Sequence, residues 1–146
     1  MEPGRRLDGP PAPTAGVVPP GRRPGDAMTF ERGDLAAVRR TVRTCAQRAG
    51  LNPDRTDDLV LAASELAANS VDHGGGRGSL RTWHDHGSVV VEVSDSGYIA
   101  DPGIGSRRPT ADSERGRGLW MARRLADRFL LHTGAHGTTA RLVTMV

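Results

Sequence analysis

Apolar positions along the chain repeat with two different periods, and the change of period marks where helices give way to strands. Leu35, Val38, Val42, Cys45, Ala46 and Ala49 recur three or four residues apart and predict an amphipathic helix that Gly50 ends. A short extended piece, MTFER from Met28, precedes it. Asn52 then reads as a cap and Pro53 as the first residue of a second helix, with Asp54, Asp57 and Asp58 in the turns where the helix dipole favours negative charge. Its stripe of Leu59, Ala62, Ala63, Leu66, Ala67 and Val71 runs to about His73, before Gly74–Gly76. The outer side, Val60, Leu61, Ser64 and Ala68, is unusually apolar for a solvated face, which predicts a cover by a neighbouring helix or by a second subunit in a homodimer.

Beyond the glycines the pattern becomes that of strands. Ser79–His84 and Ser88–Ser94 read as a hairpin about Asp85–His86–Gly87, the second strand apolar enough for a central position. Residues 96–118 hold the Gly, Pro and Ser of a loop longer than connectors usually are, a length that points to function. A helix from Leu119 to Arg128 follows, then strands Phe129–Thr133 and Thr138–Met145 about Gly134–Gly137. Helices grouped between runs of strands predict an α+β fold, a two-layer α/β sandwich with helices on one face of a mixed, mostly antiparallel sheet. Residues 1–27, rich in Pro, Gly and Arg, bury too little to order and are expected to be a disordered tail, leaving 28–146 as one domain.

Composition narrows the chemistry. The 146 residues contain no Lys, so every one of the 20 Lys/Arg positions is Arg. A Walker-type phosphate loop, a protein-kinase ATP lysine and a Schiff base are thereby excluded, since each needs an ammonium. A net charge of +3 with two Phe, one Tyr and two Trp argues against direct nucleic-acid binding, because no stacking platform can be built from so few rings. Cys45, the single cysteine, sits in the helical stripe as a small core hydrophobe, and no disulfide can form within the chain. No apolar run is long enough for a membrane span and no signal-peptide pattern opens the sequence, so a cytoplasmic protein is expected. His84–Asp85–His86 lacks a second ligand cluster for zinc and reads as a turn.

Four places carry candidate chemistry. Glu65, Asn69 and His73 stand at successive i+4 steps along one edge of the second helix's apolar stripe. An amide oxygen can ligate a hard cation such as Mg2+ and a neighbouring carboxylate can take a proton, although a solvated polar edge has the same spacing. Asp95 ends an apolar strand, with Gly97 two residues on; the carboxylate can accept from an exocyclic amine, and an Asx turn has the same sequence. Gly116 and Gly118 lie directly before the third helix, where free N–H groups favour phosphate, and Arg115 and Arg117 add charge; a flexible helix entry is the plainer alternative. Thr138 and Thr139, after Gly137, are either hydroxyl contacts to a phosphate or lid or ordinary strand threonines.

In order along the chain, SELAANSVDHG, a strand ending DSG, a long loop ending GRGL, and GTTARL resemble the GHKL (Bergerat-fold) ATPases. The nearest likeness is to the small anti-sigma-factor serine/threonine kinases, over about residues 28–146. The resemblance implies ATP and Mg2+ as cofactors, Asn69 on the metal and Glu65 as catalytic base. It also implies Asp95 on the adenine amino group with Gly97 beside the base, Gly116 and Gly118 around phosphates, a lid at 100–117, and Thr139 closing the adenine pocket. His73, Arg115, Arg117, Leu119 and Thr138 complete the expected binding set. The implied partners are a sigma factor and an anti-anti-sigma antagonist, the latter a substrate for phosphorylation. A non-catalytic regulator that binds ATP and sequesters its partner is the alternative. One position departs from the family pattern Asp-x-Gly-x-Gly: Ile99 stands where the second glycine is expected.

Overall fold

The computed structural model of the chain describes residues 22–23, 26–99 and 114–146. Its elements run β1 (Arg22–Arg23), β2 (Ala27–Glu31), α1 (Leu35–Ala49), α2 (Pro53–His73), β3 (Arg77–Asp85), β4 (Ser88–Asp95), α3 (Glu114–Leu125), β5 (Arg128–Gly134) and β6 (Gly137–Met145). Local chemistry accounts for the boundaries of α2: the Asn52 side-chain oxygen accepts the Arg55 N–H at 2.9 Å, and Pro53 occupies the position where no donor is missed. Between β3 and β4 the two turn residues, His86 and Gly87, both have positive φ (46° and 85°), the geometry that matches strand twist in a tight hairpin.

The strands form one sheet in the order β1-β3-β4-β6-β5, with β2 also paired to β3. Every pairing is antiparallel. β4 and β5 run in the same direction, as the helix between them requires, but β6 inserts between the two and no parallel ladder arises. The fold is the expected α+β sandwich. α1 and α2 cover one face, where Val38, Val42 and Cys45 and the Ala62, Ala63, Leu66, Ala67 stripe meet Leu80, Val89, Val91, Val93, Ala140 and Leu142. Burial pushes the Cys45 thiol up from its ordinary value, as suits a core residue. On the other face Glu92 lies between Arg81 and Arg141, and both guanidinium groups lie over the Trp83 ring.

Three expectations need adjustment. α3 begins at Glu114 and ends at Leu125, so Gly116 and Gly118 belong to its first turns and not to a loop ahead of it. Each glycine disfavours helix by about 1 kcal/mol, but Gly118, Leu119 and Ala122 are buried, and tertiary packing overrides that cost. The apolar outer side of α2 is only partly covered: Val60 is buried, whereas Leu61 is 44% exposed. Within the expected tail, Arg22–Arg23 pair with His84 and Asp85 and Ala27 begins β2. The rest of that tail, residues 1–21 and 24–25, and residues 100–113 of the expected lid lie outside the described residues. Among the described residues no helix is long and apolar enough to cross a membrane.

Candidate functional site

The C-terminal ends of α2 and β4 meet at Asp95. One carboxylate oxygen, Oδ2, accepts the Ser70 hydroxyl at 2.6 Å; the other, Oδ1, accepts the Gly97 N–H at 2.8 Å. The Asx turn is therefore present and is also what aims the carboxylate. A Cβ on Gly97 would stand 2.8 Å from Gly74 Cα and 2.9 Å from the His73 carbonyl oxygen, so only glycine lets the two backbones approach. Gly137, with φ of 127°, holds the start of β6 equally close to the Asp95 carbonyl. Thr138 then donates its hydroxyl to the Gly97 carbonyl at 2.9 Å.

These contacts frame a slot between α2, the sheet and α3. Leu66, Val93, Ile99, Leu119, Leu131 and Ala140 make it apolar, while Asn69, Ser70, Asp95 and Thr138 supply its polar groups. An apolar cleft with a few convergent polar groups is the usual form of a small-molecule site. Its free volume is about 20 Å³, little more than the roughly 10–15 Å³ that admits one water. Above it the first turns of α3 rest on α2: a Cβ on Gly118 would come within 3.1 Å of Glu65 Oε1 and 3.3 Å of Asn69 Nδ2. Glu65 and Asn69 thus lie against the N-terminal half of α3, towards the positive end of its dipole. Asn69 Nδ2 is buried and has no hydrogen-bond partner among the described residues.

The structure brings Asn69, Asp95, Leu119 and Thr138 to the slot, sets Gly97 beneath Asp95, and places Glu65 with Asn69 under Gly118. Gly116 is buried and Arg117 exposed in the same helical turns, and the Arg115 side chain lies outside what is described. Two residues of the expected set do not line the slot. Thr139 does not face the slot: strand alternation turns it to the opposite face of the sheet, where its hydroxyl meets Ser94 Oγ at 3.0 Å. The His73 side chain is exposed and does not line the slot; only its carbonyl approaches Gly97. Ser70 and Thr133 escaped the sequence reading, and Ile99 stood out there only as a departure from the family glycine. Ser70 left one signal, a hydroxyl one turn after Leu66 on an otherwise apolar stripe.

Residues 28–144 match the protein family described as the histidine kinase-like ATPase domain. The chain belongs to that family. Two solved structures agree with the fold of this histidine kinase-like ATPase domain. The crystal structure of the RsbU and RsbW domains of Rv1364c from Mycobacterium tuberculosis superposes with a TM-score of 0.56 at 23% identity, over 84% of this chain. The chain spans only 33% of the length of that structure. A nucleotide-free catalytic domain of the histidine kinase ThkA gives a TM-score of 0.52 at 16% identity, covering 82% of this chain and 95% of that one. No curated protein matches the sequence. The motif order read from the sequence therefore led to the right family, and the slot lies where those motifs converge.

Proposed function

We propose that the chain binds ATP in the slot and transfers its terminal phosphoryl group to a Ser or Thr of a partner protein, an anti-anti-sigma antagonist, so regulating a sigma factor by partner switching. The convergence of Asp95 and Asn69 on one slot, with Glu65 beside Asn69 under Gly118 of α3, carries the proposal. Asp95, aimed by Ser70 and Gly97, keeps further lone pairs for an exocyclic amine. The backbone around Gly116 and Gly118 and the Arg115 and Arg117 charges suit phosphates. Glu65 takes the proton of the attacking hydroxyl as its oxygen bonds to the terminal phosphorus and the bond to the bridging oxygen breaks, releasing ADP.

Mg2+ fits the donors present. Among the described residues no group of three or more His, Cys, Asp or Glu could hold a metal, and Asn69 offers one amide oxygen beside Glu65. So sparse a protein set suits Mg2+, whose shell is commonly completed by phosphates and water, and the ion would offset phosphate charge. The partner assignment is supported by the likeness to a structure that contains an RsbW domain. The domain would comprise residues 28–146 and act in the cytoplasm.

Incubation with labelled ATP and candidate antagonists tests the reading. Phosphate should appear on a partner Ser or Thr, and Glu65→Gln should reduce transfer by roughly 10²–10⁴-fold while partner binding persists. ATP bound without transfer to any partner would refute the kinase assignment. Sequestration without catalysis is the second reading, favoured by the small free volume of the slot.

A further inference from the structure

The slot is too small for a purine in the described conformation, so something in its wall must move for a nucleotide to enter. Leu66 sits in the middle of α2, and Val93 and Ala140 belong to paired strands of the sheet. Ile99 is different: it lies past the end of β4 and is nevertheless 5% exposed, its side chain among the slot residues beside Asp95. It also stands where the family pattern has a glycine, which would leave that space open.

Hydrogen bonds account for a loop residue so well held. The Ile99 N–H donates to Thr133 Oγ1 at 3.0 Å, the Thr133 and Thr138 hydroxyl oxygens are 2.8 Å apart, and Thr138 donates to the Gly97 carbonyl at 2.9 Å. A hydroxyl has one proton, and that of Thr138 is committed to Gly97. Thr133 must therefore be the donor to Thr138. The direction of the chain is fixed: Ile99 N–H to Thr133, Thr133 to Thr138, Thr138 to the Gly97 carbonyl. Two threonines facing each other across β5 and β6 thus fasten both ends of the Gly97–Ile99 segment to the sheet.

We propose that Ile99 is a plug in the base end of the nucleotide site and that the Thr133–Thr138 pair is the latch that keeps it in, which sets the affinity for adenine nucleotides. The inference rests on the reading of the slot as an ATP site. A nucleotide meets a competent site only in the fraction of molecules whose plug is out, and its apparent affinity falls by that fraction. Releasing the latch or shortening the plug therefore raises affinity, the opposite of what trimming an ordinary contact residue does.

Calorimetric titration with Mg-ADP, alongside thermal melts of each variant without ligand, tests this. Ile99→Ala should tighten binding by about tenfold and Ile99→Val by a smaller factor in the same direction. Thr133→Val, which keeps the volume of Ile99 but breaks the latch, should also tighten binding, and Thr133→Ser should restore the wild-type value. A purely structural Thr133 would lower the melting temperature with no gain in affinity, and that result overturns the latch. Weaker or unchanged binding by both Ile99 variants, while Asp95→Asn still abolishes it, overturns the plug and leaves the ATP site standing. A gain in Leu119→Ala with none in the Ile99 variants would put the plug on α3 and likewise refute the proposal. If Asp95→Asn binds as well as wild type, the slot is not the nucleotide site and both readings fall.

Discussion

Asn69 offers a direct test of function set against stability. Its Nδ2 is buried with no hydrogen-bond partner among the described residues, and a buried polar group left unpaired costs about 1–3 kcal/mol. Asn69→Leu keeps the number of side-chain heavy atoms, removes that donor and places an apolar side chain in a slot already lined by Leu66, Ile99 and Leu119. Leu also favours helix over Asn by about 0.5 kcal/mol. Against these gains stands crowding: Gly118 packs directly above, and only about 20 Å³ is free, so roughly 1 kcal/mol of strain is expected. The balance is a net stabilisation of about 1–2 kcal/mol, a rise of roughly 5 °C in melting temperature for a domain of this size. Thermal unfolding without nucleotide measures the rise, and calorimetric titration with Mg-ATP in the same preparation should show no binding heat. A lower melting temperature for Asn69→Leu would mean that the amide does not burden the fold; retained Mg-ATP binding would refute its role at the metal.

Gly97→Ala should destabilise the domain by about 1–3 kcal/mol and abolish nucleotide binding, because its Cβ meets backbone at Gly74 and His73; a melt and a titration read both. Gly118→Ala meets only the tips of Glu65 and Asn69 and gains helix propensity, so the melting temperature should hold or rise while nucleotide binding falls. Wild-type binding by that variant would show that α3 does not cradle phosphate. Asp127 accepts the Met145 N–H at 2.6 Å and an Arg55 N–H at 2.7 Å, and these two bonds, the backbone one first, hold its carboxyl below the usual Asp range. A depressed folded pKa means that this stabilisation is complete above the ordinary Asp value of about 3.9 and is lost as pH falls through the folded pKa. Asp127→Asn should therefore lower the melting temperature at neutral pH and flatten its decline on acidification, and parallel wild-type and variant curves would contradict the assignment.

Much of the molecule could be read from local chemistry. The stripes of α1 and α2, the Asn52–Pro53 start and the His86–Gly87 turn depend on residues within a few positions of one another, and all stand as expected. Asn69 and Asp95 could be picked out because each closes a local pattern, one on a helix edge and one at a strand end. The α3 boundary was less legible, since the low helix propensity of Gly116 and Gly118 is outweighed only by packing against α2, a contact that spans about a third of the chain.

What the sequence by itself determined is the main helices and strands, the family and the importance of Asn69 and Asp95, all encoded in period and motif order. Tertiary structure alone decided which threonine faces inward. Thr138 and Thr139 are equivalent neighbours in sequence, and only the register that pairs Asp95 with Thr138 and Ser94 with Thr139 sends one into the slot and the other to the far face. A second register, that of β5 with β6, aligns Thr133 with Thr138 and so creates the hydroxyl chain to Ile99. A side-chain period of two makes a strand's faces knowable in sequence but not which face is the buried one; that is settled where the strands pair.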